Sequence, residues 1–161
     1  MSDAMTCHEE RRSVIASSPE ALFDHLDDPA RFGRHMSKPS FMLLGGSMSY
    51  DLDSAGGRAL GSRITMTGGA LGLRLTVDEV VVVYAPPREK VWETVGSPQL
   101  VVLRAYRMGF RIEHDRRGSL LLAFIDYSPS PGLGRLARAY ARWCIARIIR
   151  DAEANFGSNA A

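Results

Sequence analysis

The spacing of apolar residues predicts short elements at the start of the chain. Residues 9–16 are predicted to form a first strand. Ser18 is a suitable N-cap and is followed by a proline, which predicts a short helix over 19–26. Asp28 precedes a second proline in the same way and predicts another short helix over 29–36. Two such helices bury little by themselves, so we expect them to cover the rim of something larger.

From Phe41 onward the apolar residues recur at every second position, which is the period of a strand with one buried face. Glycine pairs and a Pro-Pro pair divide this region with short turns, so neighbouring strands are predicted to pair antiparallel. The predicted strands cover residues 48–52, 60–67, 73–84, 90–95, 100–113 and 119–127.

A long amphipathic helix is predicted over residues 133–156. Its apolar stripe includes Tyr140 and Cys144, its arginines lie mostly opposite, and Gly157 ends it. The apolar face of the sheet needs a cover, and this helix supplies one. The sequence therefore predicts one α+β domain over residues 1–161, with seven antiparallel strands against a long C-terminal helix.

Composition and charge narrow the classes of function. The 161 residues are 45% hydrophobic and 24% charged, as in ordinary globular proteins, and a net charge of +2 gives no reason to expect nucleic acid as a partner. Cys7 and Cys144 match no metal or redox spacing. The polar N-terminus and the short apolar runs predict a cytoplasmic protein without stable membrane insertion. No phosphate-binding or dinucleotide-binding motif occurs, and no cofactor is predicted.

Four segments carry a resemblance to a known family: SSPEALFDHLDDPARF, VDEVVVVYAPPREKVWET with its Pro-Pro between two strands, YRMGF, and YARWC in the last helix. Together they resemble the SRPBCC superfamily, also called START-like or pollen-allergen-like, which includes polyketide cyclase/dehydrase and lipid-transport proteins. The resemblance implies the helix-grip fold: a curved seven-stranded sheet around the C-terminal helix, with two short helices after strand 1. It implies a cavity for a hydrophobic molecule and no shared catalytic motif.

A curved sheet cannot lie flush against a straight helix, so we expect an apolar pocket between them. The alternative is that the same side chains fill the gap as core. The candidate pocket residues are Met48, Tyr50, Met66, Trp92, Arg104, Tyr106, Met108, Phe110, Phe124, Tyr140 and Trp143.

Strict alternation also turns the charged side chains of Glu79, Arg104 and Asp126 inward, and the helical period places Arg147 beside Tyr140. Buried charges need partners or water, so these residues are candidates for an internal ion pair that orients a ligand. The alternative is a β-bulge or a strand end, because one slipped residue inverts every assignment.

Glu79, Asp126 and His35 are the candidate catalytic acids or bases. His25 lies among aspartates, but the spacing matches no metal motif, so we expect surface groups and no metal. The leading hypothesis is binding or transport of a hydrophobic small molecule. The alternatives are a polyketide cyclase/dehydratase-like enzyme and a protein-interaction module without a ligand. The sequence leaves the oligomeric state open.

Overall fold

The computed structural model describes residues 4–28, 47–70 and 72–158. The predicted second short helix, 29–36, and His35 lie outside the described residues, as does the side chain of Met48. The described elements are β1 (Cys7–Ile15), α1 (Pro19–Leu26), β2 (Ser47–Leu52), β3 (Arg63–Ala70), β4 (Leu73–Ala85), β5 (Glu89–Gln99), β6 (Leu103–Asp115), β7 (Gly118–Pro129) and α2 (Gly134–Phe156).

Among the described elements, the seven strands form one antiparallel sheet in the order β1-β7-β6-β5-β4-β3-β2. Consecutive strands from β2 to β7 are neighbours, as short turns require, and β1 joins the far edge beside β7. The long helix α2 packs against β1 and β7, and α1 contacts α2 and β6. The predicted helix-grip arrangement of a curved sheet around a long helix is confirmed.

Helix α1 begins at its predicted cap, where the Ser18 side chain accepts a hydrogen bond from the Ala21 amide at 3.2 Å. Its apolar side points into the core, where the Phe23 ring meets the Phe110 ring edge-on with centroids 5.6 Å apart. His25, expected at the surface, is instead 7% exposed and its Nε2 lies 2.7 Å from Asp151 of α2. The surface prediction for His25 was wrong because its partner is distant in the sequence.

Helix α2 buries a stripe of small and branched residues: Ala137, Ala141, Ile145, Ile148, Ile149 and Ala152. The alanines let the helix approach β1 and β7 closely, because they add little width on that side. The helix ends at Gly157, whose φ of 82° lies in the left-handed region that favours glycine. Over the described residues, no helix has both the length and the apolar character needed to cross a bilayer.

A β-bulge in β6 overturns the predicted inward position of Arg104. Leu103 pairs with Pro129 and Ala105 with Ser128, so one extra residue, Arg104, stands between consecutive pairs. Leu103 and Tyr106 both point into the core, while Arg104 is exposed. Strict alternation failed here because it assumes an uninterrupted ladder.

Phe124 and Asp126 of β7 lie on the outer face of the sheet, so their predicted inward positions were wrong. The Phe124 ring packs between the His8 ring and the Arg111 guanidinium, which is 5.0 Å from the ring centroid. The Asp126 carboxylate lies 2.6 Å from His8 Nδ1 and, through this hydrogen bond, raises the pKa of His8. Apolar residues occupy both faces of β7 from 120 to 125, so alternation does not identify its inner face.

Candidate functional site

A cavity of about 110 Å³ lies between the sheet and α2. Strands β2 to β7 form its walls. Helix α1 contributes one residue to its cover, and α2 contributes several. Most of the wall is aliphatic or aromatic, with Leu26, Ile64, Leu75, Val77, Leu100, Leu103, Ile125 and Ile148 among its members. The expected gap between sheet and helix is therefore present.

Most of the predicted pocket residues lie in this wall: Tyr50, Met66, Trp92, Tyr106, Met108, Tyr140 and Trp143. Their contact with a ligand stays a prediction. Phe110 does not line the cavity, and its prediction as a wall residue was wrong. It is fully buried behind the wall, where its ring packs edge-on against Trp92 with centroids 6.4 Å apart.

Two polar groups of the cavity wall contact each other, a carboxyl on β4 and a phenol on β6. Glu79 of β4 is 4% exposed and accepts a hydrogen bond from the Tyr106 hydroxyl of β6. The bulge at Arg104 gives Tyr106 its inward direction, and the Tyr106 amide donates to the Thr94 hydroxyl at 3.2 Å beside it. Burial raises the pKa of Glu79 to about 7, although the Tyr106 hydrogen bond and the Lys90 charge act in the opposite direction.

A second buried polar group, the Lys90 ammonium with its partner Asp27, lies at the cavity wall beneath α1. It was not identified from the sequence. The Lys90 ammonium lies 2.6 Å from Asp27 Oδ1, and the Tyr84 hydroxyl donates to Asp27 Oδ2 at 2.6 Å. The Lys90 and Asp27 side chains are only 4% and 8% exposed. Lys90 lies two residues before Trp92 on β5, so strand periodicity was the signal that placed it inward.

Helix α2 contributes a third set of polar atoms to the cavity wall. Tyr140 and Cys144 are one helical turn apart, and burial raises the pKa of the Cys144 thiol to about 12. The Arg147 guanidinium lies 5.0 Å from the centre of the Trp143 ring. The site therefore combines aromatic walls with the Glu79 carboxyl, the Arg147 guanidinium and the Lys90 ammonium, which is paired with Asp27. Over the described residues, no cluster of three His, Cys, Asp or Glu side chains is placed to hold a metal ion.

We expect Glu79 to make the free energy of unfolding fall as the pH rises toward neutrality. Its folded pKa of about 7 lies above the ordinary 4.5, so the folded protein keeps a proton that the unfolded chain has released. This stabilisation is complete below pH 4.5 and is lost as the pH rises through about 7. The loss between about pH 5 and about pH 8 amounts to roughly 2–3 kcal/mol.

Urea unfolding of the wild type and of Glu79→Gln at both pH values measures this loss. The Glu79→Gln protein should lack it, while Glu113→Gln, the same change at an exposed position, should retain it. Equal pH dependence in the wild type and in Glu79→Gln would show that Glu79 does not titrate in this range.

Proteins of known structure share this fold. No protein-family model and no curated protein matches the chain. The structure is similar to Ara h 8.0201, with a TM-score of 0.64 and 13% identity over 92% of this chain and 96% of that one. It is similar to the major latex-like protein 151 of Panax ginseng, with a TM-score of 0.62 and 13% identity over 95% and 99% of the two chains.

A third similar structure is the di-domain ARO/CYC protein StfQ of the steffimycin biosynthetic pathway. The TM-score is 0.65 at 15% identity, over 91% of this chain and 49% of the StfQ chain. These likenesses show a shared fold. The chain therefore has the helix-grip fold that the sequence predicted.

Proposed function

We propose that this protein binds a small hydrophobic molecule in the cavity between the sheet and α2. The observation that carries the proposal is the largely apolar cavity of about 110 Å³ with aromatic side chains in its wall. An engineered apolar cavity of about 150 Å³ takes up benzene, whereas drug-sized ligands occupy roughly 300–1,000 Å³. The ligand therefore has the size of about one ring, or of a short branched chain.

Apolar burial alone gives such a ligand a modest affinity. A ring that buries roughly 150 Å² gains about 4 kcal/mol at about 25 cal/mol per Å², which corresponds to a dissociation constant near 1 mM. Tighter binding needs a polar contact in the cavity. Glu79, Tyr106 and Arg147 contribute polar atoms to the cavity wall.

A second candidate function, proton transfer on a bound ligand, is favoured by one observation. Glu79 lies in the cavity wall with a pKa of about 7, which is near the optimum for a general acid or base at neutral pH. The ARO/CYC protein StfQ has the same fold. Asp126 takes no part in this hypothesis, because it lies on the outer face of the sheet.

We expect Leu75→Trp to abolish binding of a ring-sized probe such as benzyl alcohol. Leu75 is 6% exposed and lines the cavity, so an indole in its place occupies the space that the probe needs. Calorimetric titration measures the binding, and thermal unfolding verifies that the variant is folded. The control is Leu136→Trp, the same substitution at a position that is 58% exposed on α2. Undiminished binding to a folded Leu75→Trp protein would show that the probe binds outside this cavity.

A further inference from the structure

We infer that the ligand carries a protonated amine, which pairs with the Glu79 carboxylate while an apolar body of about one ring fills the rest of the cavity. The inference rests on the proposed function and adds the chemical class of the ligand.

Glu79 has no cationic partner among the described residues. Its hydrogen bond comes from the neutral Tyr106 hydroxyl, and no lysine or arginine of the described chain forms an ion pair with it. Lys90 also lines the cavity, but its ammonium is held by the Asp27 carboxylate at 2.6 Å and by the Asp27 carbonyl oxygen at 3.3 Å. Over the described residues, the cavity therefore holds the Lys90–Asp27 ion pair and a Glu79 carboxyl that forms no ion pair.

Charged and titratable groups face Glu79 from each side of the cavity. Lys90 approaches from β5, Tyr106 from β6 and Tyr50 from β2. Helix α2 adds Tyr140, Cys144 and Arg147. The pKa values of Tyr50 and Cys144 are raised by burial first and by the Glu79 charge in addition, so the field of the carboxylate reaches across the cavity. The Arg147 charge acts to lower the pKa values of the same two residues. Its guanidinium lies beside the Trp143 ring.

The aromatic side chains around the carboxyl suit a cation. Rings of Tyr50, Trp92, Tyr106 and Tyr140 line the same cavity, and their faces attract positive charge. A neutral ligand would leave a buried carboxylate uncompensated and would bind only after Glu79 takes up a proton. A protonated amine supplies the missing charge and a hydrogen-bond donor together. The cavity therefore selects for an amine with a small apolar body.

The test compares three ring-sized probes of different charge: benzylamine, benzyl alcohol and benzoate. Calorimetric titrations are run at about pH 6 and about pH 8 with the wild type, Glu79→Gln and the surface control Glu113→Gln. Benzylamine stays protonated across this range, so the ionisation of Glu79 controls its binding. Because burial raises the pKa of Glu79 to about 7, its ionised fraction rises from about one tenth to about nine tenths. Benzylamine should then bind about tenfold more tightly at the higher pH.

The variants separate the inference from the proposed function. Glu79→Gln should lose the pH dependence and at least tenfold of the benzylamine affinity at about pH 8. Its affinity for benzyl alcohol at that pH should rise, because a neutral ligand binds the wild type only after Glu79 takes up a proton. Glu113→Gln should match the wild type with both probes. Should Glu79→Gln fail to fold, the pH dependence of the wild type decides by itself.

Three results would overturn what has been proposed. Benzyl alcohol that binds at least as tightly as benzylamine at about pH 8 refutes the amine and leaves the proposed function intact. Benzoate as the tightest probe refutes it in favour of an anion held by Arg147. No binding of any probe refutes the proposed function itself, and the amine with it.

Discussion

Replacing Asp27 with asparagine should lower the free energy of unfolding by about 3–5 kcal/mol, because it leaves the Lys90 ammonium buried without a counter-charge. The two side chains meet at 2.6 Å and are 8% and 4% exposed, so bulk water solvates the remaining ammonium poorly. The Tyr84 hydroxyl also loses its charged acceptor. Urea or guanidinium unfolding monitored by circular dichroism measures the change.

A surface ion pair provides the matched control. Arg111 and Glu89 lie 2.8 Å apart on neighbouring strands, but their side chains are 54% and 28% exposed. Glu89→Gln should therefore cost about 1 kcal/mol or less. A double variant, Asp27→Leu with Lys90→Met, should recover most of the stability lost in Asp27→Asn, because it removes both buried charges. A cost for Asp27→Asn no larger than that for Glu89→Gln would contradict the buried pair.

Replacing Gly109 with alanine should destabilise the protein by about 3 kcal/mol or more, through overpacking of the sheet. Gly109 of β6 pairs with Val91 of β5 and with Phe124 of β7. A Cβ at this position would overlap the Lys90 carbonyl oxygen and lie 3.0 Å from the Val91 Cα. These are backbone atoms of the adjacent strand, so relief requires the strands to separate. Thermal and denaturant unfolding measure the loss.

Another strand glycine tests whether the effect is local. A Cβ on Gly69 of β3 would meet one backbone oxygen, of Leu73, at an ordinary contact distance of 3.5 Å. Gly69→Ala should therefore change stability by less than about 1 kcal/mol. Similar losses in both variants would mean that replacing any strand glycine is costly and that the close approach at Gly109 is not special.

The order and type of the elements were predictable from the sequence because each carries a local signal. The cap of Ser18 and Pro19 predicted α1, and the period-two pattern predicted strands near their observed positions. The long amphipathic stripe predicted α2. In each case the chemistry that forms the element lies within a few neighbouring residues.

The details of the site depended on contacts that no local pattern contains. Lys90 and Asp27 are 63 positions apart, so their pairing appears only when α1 is folded over the sheet. The inner face of β7 was misassigned because both of its faces carry apolar residues. Glu79 and Tyr106 were identified as candidates, but their hydrogen bond depends on the strand order and on the bulge in β6.

That bulge makes the number of residues between Leu103 and Tyr106 more important than the identity of Arg104. Substituting Arg104 alters one exposed side chain. Deleting it would turn the side chains on one side of the deletion to the opposite face of the sheet. Either Leu103 or the Tyr106 phenol would then leave the interior, and in the second case Glu79 would lose its donor. Arg104, which does not line the cavity, therefore sets the spacing that directs the Tyr106 side chain into it.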